Sequence, residues 1–62
     1  MSKHQDDYDE YVEALKHNDI DACLYIETIY GLDGYPPNIV CFALEAAIAG
    51  KDMHDALDEL MG

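Results

Sequence analysis

Sixty-two residues with fourteen Asp and Glu, three Lys and no Arg carry a formal net charge of −11. A surface this negative repels nucleic-acid phosphates and anionic lipids, both of which attract Lys and Arg, so neither direct nucleic-acid binding nor a membrane is expected. The length allows one domain at most. With half of its residues hydrophobic, the chain can form a core and does not read as a disordered acidic tail.

The first helix is predicted from Ser2 to Lys16. Ser2 and Gln5 stand in capping-box register. Asp6 and Asp7 near the start, and Lys16 and His17 at the end, both complement the helix dipole. Tyr8, Tyr11, Val12 and Leu15 recur at i, i+3, i+4 and i+7 and form one apolar stripe. Asp6, Asp9, Glu10 and Glu13 fall on the opposite side.

A second helix is predicted from Asp19 to Tyr30, capped by Asn18 or Asp19 and stopped by Gly31. Its apolar surface is broad: Ile20, Cys23, Leu24, Ile26, Ile29 and Tyr30. Asp21, Tyr25 and Thr28 share the wet side, and Glu27 projects between Ile20 and Cys23, where it is partly shielded. The β-branched and aromatic run Leu24–Tyr30 makes a strand the rival assignment. Gly31-Leu32-Asp33-Gly34-Tyr35-Pro36-Pro37 is the clear loop, punctuated by two glycines and two prolines.

The third helix, about Asn38 to Ala49, opens at Pro37 or Asn38 and ends at Gly50 in the C′ position. It is apolar nearly all round, with Glu45 the one interruption, a pattern that belongs to a buried helix. The fourth helix, Met53 to Met61, has Asp52 as its cap. Met53, Ala56, Leu57 and Leu60 face inward, and Asp55, Asp58 and Glu59 face out. The expected fold is therefore all-α: a single domain over residues 1–62, a compact bundle of three to four short helices around the apolar third.

Few elements are available to cover a central helix on every side. The side carrying Cys41, Leu44 and Ile48 either stays open as an apolar interface, through which the chain pairs with itself or with another protein, or is covered by the fourth helix and the Tyr-Pro-Pro loop. On the first helix Asp6, Glu10 and Glu13 line up one turn apart with no lysine among them, and Asp55, Asp58 and Glu59 make a second ridge of the same sign. Like charges at this spacing oppose the helix by a few tenths of a kcal/mol per pair, roughly, so the excess of charge asks for a reason. Tyr25 and Tyr35 are the tyrosines expected at the surface, where this residue type favours protein interfaces.

No pattern of residues encodes an activity. Asn18-Asp19-Ile20-Asp21 has the alternating acids that open a calcium loop, but Cys23 stands where that loop requires glycine. His4, His17 and His54 are scattered, with no second ligand one helical turn away, so no metal site is expected. Cys23 and Cys41 lie in apolar stretches and read as buried thiols, and a disulfide is not implied by their spacing. Ser2 is the only serine, and Gly31 and Gly34 do not make a phosphate loop. Neither catalytic residues nor a cofactor are expected. Without an apolar h-region near residue 1 or a run of about 20 apolar residues, the expected location is cytoplasmic.

Two function classes follow. The first is a non-enzymatic inhibitor or regulator whose partner-binding carboxylates (Asp6, Asp9, Glu10, Glu13, Asp55, Asp58, Glu59, with Tyr25 and Tyr35) dock on a basic surface of a nucleic-acid-binding protein. It would act as a DNA mimic, by analogy with small acidic inhibitors of phages and mobile elements. The second is a helical adaptor or homodimerisation module working through the apolar and tyrosine surface, or an immunity- or antitoxin-type partner of a basic toxin.

Overall fold

Four helices make up the fold in the computed structural model, which describes residues 3–62: α1 (Lys3–Lys16), α2 (Ile20–Ile29), α3 (Pro37–Ile48) and α4 (Met53–Met61). Among the described residues there is no strand, and Leu24–Tyr30 is helical up to Ile29. Ser2, expected to cap α1, lies outside the described residues.

The helix boundaries follow from local chemistry. Three helices end in the same way. After α1, Asn18 adopts φ 55°, and Asp19 N–H donates to Ala14 C=O at 2.8 Å. After α2, Gly31 takes φ 68° while Leu32 N–H reaches Glu27 C=O at 2.7 Å. After α3, Gly50 takes φ 87° while Lys51 N–H reaches Ala46 C=O at 2.9 Å. A left-handed residue followed by a six-to-one hydrogen bond is the Schellman ending, which satisfies carbonyls the helix leaves bare. Asn18 thus ends α1, and Asp19 caps α2 by accepting from Ala22 N–H at 3.2 Å. At the start of α4, Asp52 accepts from His54 N–H at 2.9 Å and Asp55 N–H at 3.1 Å. Pro37 sits in the first turn of α3, where its missing N–H costs nothing.

Packing runs in a chain: α2 against α1, α1 against α3, and α3 against α4. The core lies along this path. Tyr11 and Ala14 come from α1, Cys23 and Ile26 from α2, Val40, Ala43 and Leu44 from α3, and Met53 and Leu57 from α4. Leu32, fully buried, plugs it from the loop. The radius of gyration is 10.9 Å, close to the roughly 10.6 Å of a folded chain of this length.

The expected central helix is covered on one side only. Val40, Ala43 and Leu44 are buried, but Phe42, Glu45 and Ile48 face solvent. Leu60 also differs from expectation: it is 48% exposed, in the last turn of α4, one turn beyond the buried Ala56 and Leu57.

Candidate functional site

On α1 the residues Asp6, Asp9, Glu10 and Glu13 are all exposed. At about 100° per residue they fall within one sector of about 100°, opposite the buried Tyr11. Among the described residues, one of the four has a cationic neighbour. Glu13 lies 3.7 Å from Lys16 Nζ and 3.5 Å from His17 Nε2, pairs whose exposure keeps them weak. Asp9 accepts a hydrogen bond from Gln5 Nε2 at 3.0 Å. Asp7 turns inward instead and accepts the hydroxyl proton of Tyr30, beside which His4 Nδ1 stands 3.4 Å away. The carboxylates of Asp55, Asp58 and Glu59 on α4 are likewise exposed and line an open depression with Lys51 and Asp52. Lys51 partly offsets this second ridge.

The expected apolar interface on α3 requires correction. Ile48 is exposed and Cys41 half-buried, but Leu44 is fully buried. Leu44 shares its side of the helix with Val40, one turn back, and that side faces the core. Phe42 is exposed in its stead. With Ala46, Ala49 and Ala56 it lines a groove of about 200 Å³ between α3 and α4, rimmed by Glu45, Lys51 and Glu59. Tyr35 is also less open than expected. It is half-buried against the core, since the loop folds back and Tyr35 N–H donates to Leu32 C=O at 3.3 Å. Tyr25 is exposed, as its position on the wet side of α2 implied.

Sequence reasoning missed how much of α2 is exposed. Ile20, Leu24 and Ile29, assigned to the core side of α2, are 68%, 49% and 45% exposed, and Tyr25 beside them is 67% exposed. Only Cys23, Ile26 and Glu27 of this helix are buried. The available signal was the breadth of the apolar arc: a ten-residue helix resting mainly on one neighbour cannot bury apolar residues all round.

Three tyrosine hydroxyls bind carboxyl groups across helix boundaries. Tyr11 donates to Glu27 Oε2 at 2.8 Å in the core, Tyr30 donates to Asp7, and Tyr8 donates to Glu45 Oε1 at 3.3 Å. Burial first, then Glu27, raises the Tyr11 phenol well above its ordinary value. Burial first, then Asp7, raises Tyr30 to about 12. The folded phenols hold their protons more tightly than unfolded tyrosine, whose pKa is about 10. The stability they contribute is therefore complete below about pH 10 and lost as pH rises through about 12. The expected result is cooperative unfolding across that window, with tyrosinate absorbance and loss of helical circular dichroism rising together. Complete tyrosine ionisation near pH 10 with the helices intact would contradict it.

Cys23 and Cys41 are free thiols. Burial raises both, with Glu27 and then Asp19 adding to the effect at Cys23 and Glu45 at Cys41, so little of the nucleophilic thiolate is present near neutrality. Among the described residues no three His, Cys, Asp or Glu side chains converge on a metal position, and no helix is long and apolar enough to cross a membrane. What the geometry offers is surface: carboxylates on α1 and α4, apolar side chains on α2 and α3. Comparison with known proteins gives no match to a family model, a curated protein or a solved structure.

Proposed function

We propose that this chain is a non-enzymatic protein-binding module that sets its carboxylate faces against a basic surface of a partner, of the kind that otherwise holds nucleic acid. The observation that carries this reading is the α1 sector, where four exposed carboxylates share one face and, among the described residues, one of them has a cationic neighbour. Along a rigid helix they recur roughly every 5–6 Å, against about 3.4 Å of axis per phosphate on each strand of duplex DNA. The two charge densities are of the same order. The α4 ridge adds a second strip of the same sign. A field of this kind accelerates encounter with a basic partner and makes association sensitive to salt.

The test begins with partners captured from a bacterial lysate on the immobilised chain and eluted with a salt gradient. For a captured partner, affinity is expected to fall by about an order of magnitude or more between low and moderate salt. Asp6→Asn, Glu10→Gln and Glu13→Gln together should weaken binding at least ten-fold and flatten the salt dependence. These substitutions relieve like-charge pairs worth a few tenths of a kcal/mol each, about, and remove the Asp6 dipole contact and the exposed Glu13 pairs, which are of similar size, so the helical circular dichroism of the variant should match the parent and lost binding then reports on the surface. Unchanged affinity would refute the proposal. The second reading, an adaptor or an immunity- or antitoxin-type partner, is favoured by the exposed apolar half of α2.

A further inference from the structure

We propose that the groove between α3 and α4 grips the basic partner by one large apolar side chain, carried on a segment whose neighbouring lysines or arginines lie against the α4 carboxylates. This rests on the proposed docking with a basic partner and adds the place of the contact and the chemistry of the segment held there.

The groove takes one face from each helix. Phe42, Glu45, Ala46 and Ala49 recur at i, i+3, i+4 and i+7 along α3 and its C-cap, and Ala56 and Glu59 stand one turn apart on α4. Three of these residues are alanine, so neither helix fills the space between them, and Phe42, 39% exposed, supplies an aromatic wall. The volume of about 200 Å³ is below the roughly 300–1,000 Å³ of pockets that enclose a small-molecule ligand. It suits a single side chain instead. On the α4 side the groove runs into the acidic depression: the two share Lys51, Ala56 and Glu59. Together they present five carboxylates, those of Glu45, Asp52, Asp55, Asp58 and Glu59, and one ammonium, that of Lys51.

Charge complementarity selects the occupant. Five carboxylates around an apolar slot oppose an acidic peptide, nucleic acid and anionic lipid alike. They oppose a second copy for the same reason, since each copy carries −11 with three lysines and no arginine. A segment rich in lysine or arginine is drawn to the acidic bank, and a leucine, methionine or phenylalanine among its charges finds apolar surface within reach of them. Recognition of an amphipathic segment by an apolar groove with charge at its rim follows from these two forces acting side by side. They also divide the work. The exposed rim carboxylates govern encounter rate and salt dependence, and the anchor, once it leaves water, governs residence time. An acidic face alone attracts any cation, whereas the groove favours a basic segment with an apolar anchor over one without.

Two synthetic peptides test this: a lysine-rich peptide with one central leucine, and the same peptide with serine in that place. Each is titrated into the intact, isotope-labelled chain and followed by heteronuclear NMR. The leucine peptide should bind about ten-fold more tightly, with shifts concentrated at Phe42, Ala46, Ala49 and Ala56. Added NaCl should weaken both peptides and leave their ratio unchanged, because salt screens the lysines and not the apolar contact. Ala49→Leu, at the exposed end of α3, fills the groove and should abolish the preference for leucine while the serine peptide keeps its affinity. Phe42→Ala, which removes the wall, should reduce that preference severalfold, with helical circular dichroism unchanged in both variants. Equal affinity of the two lysine peptides, or shifts confined to the α1 carboxylate face, would overturn the groove proposal and leave the docking of carboxylates on a basic partner standing. A leucine peptide with glutamate in place of lysine that binds equally well would overturn the basic occupant. Groove shifts that grow with chain concentration alone would assign the groove to a second copy instead. Failure of both lysine peptides to bind at low salt would overturn the docking reading as well.

Discussion

Leu44→Ala should remove a large part of the stability of the chain. Leu44 is fully buried together with Val40 and Ala43 on the side of α3 that meets the core. Removing a buried leucine side chain costs about 2–5 kcal/mol, the transfer free energy plus the cavity left behind. At about 0.05–0.15 kcal/mol per residue, the whole domain has only some 3–9 kcal/mol to lose. Phe42→Ala and Ile48→Ala, on the same helix, should each cost about 1 kcal/mol or less, because these side chains already stand 39% and 37% exposed. Urea titrations followed by circular dichroism distinguish the three variants. A Leu44→Ala chain as stable as Ile48→Ala would mean that α3 does not seat Leu44 in the core. One consequence concerns experimental design: Leu44→Asp cannot serve as a surface probe of α3, since it would place a carboxylate in the core, whereas Ile48→Asp can.

The difference between Leu44 and its neighbours marks where sequence reasoning stops. Helix ends are local events, and they were legible. Asp52 capping α4, Gly31 ending α2 and Gly50 ending α3 each follow from one residue's own chemistry. Asn18 was less so, because asparagine serves either as an N-cap or as a left-handed C′ residue, and here Asp19 takes the cap. The α1 carboxylate sector was also legible, since residues on one helix are related by a fixed rotation whatever packs nearby. Which side of an apolar helix meets a neighbour is not encoded in that rotation. On α3, nearly every position is apolar, so periodicity could not tell Leu44 from Cys41. On α2 the apolar arc exceeded what α1 covers, leaving Ile20, Leu24 and Ile29 in solvent. Glu27 shows the same limit from the polar side. Its position on the wheel implied partial shielding, but only the packing of α2 on α1 brings the Tyr11 hydroxyl to it.

That contact supports the second large effect. Tyr11→Phe should destabilise the fold by about 1–3 kcal/mol although it removes a single oxygen, because it leaves the buried carboxyl group of Glu27 short of its donor. Among the described residues no buried side-chain nitrogen or oxygen lacks a partner, and this variant would create such a group between α1 and α2. Glu27→Leu alone should also destabilise, by stranding the Tyr11 hydroxyl. The double variant Tyr11→Phe/Glu27→Leu should cost clearly less than the two single changes summed, because replacing both members of a buried polar pair by apolar groups of similar shape removes the unmet demand. A double-mutant cycle in urea should therefore give a coupling of about 1–3 kcal/mol. Additivity within about 0.5 kcal/mol would show that the two groups contribute independently. A coupling of the expected size would mean that α2 owes its place to one hydrogen bond as well as to Ile26 and Cys23. With so few apolar side chains of α2 turned inward, the buried polar contact helps hold the helix so that its exposed half faces solvent.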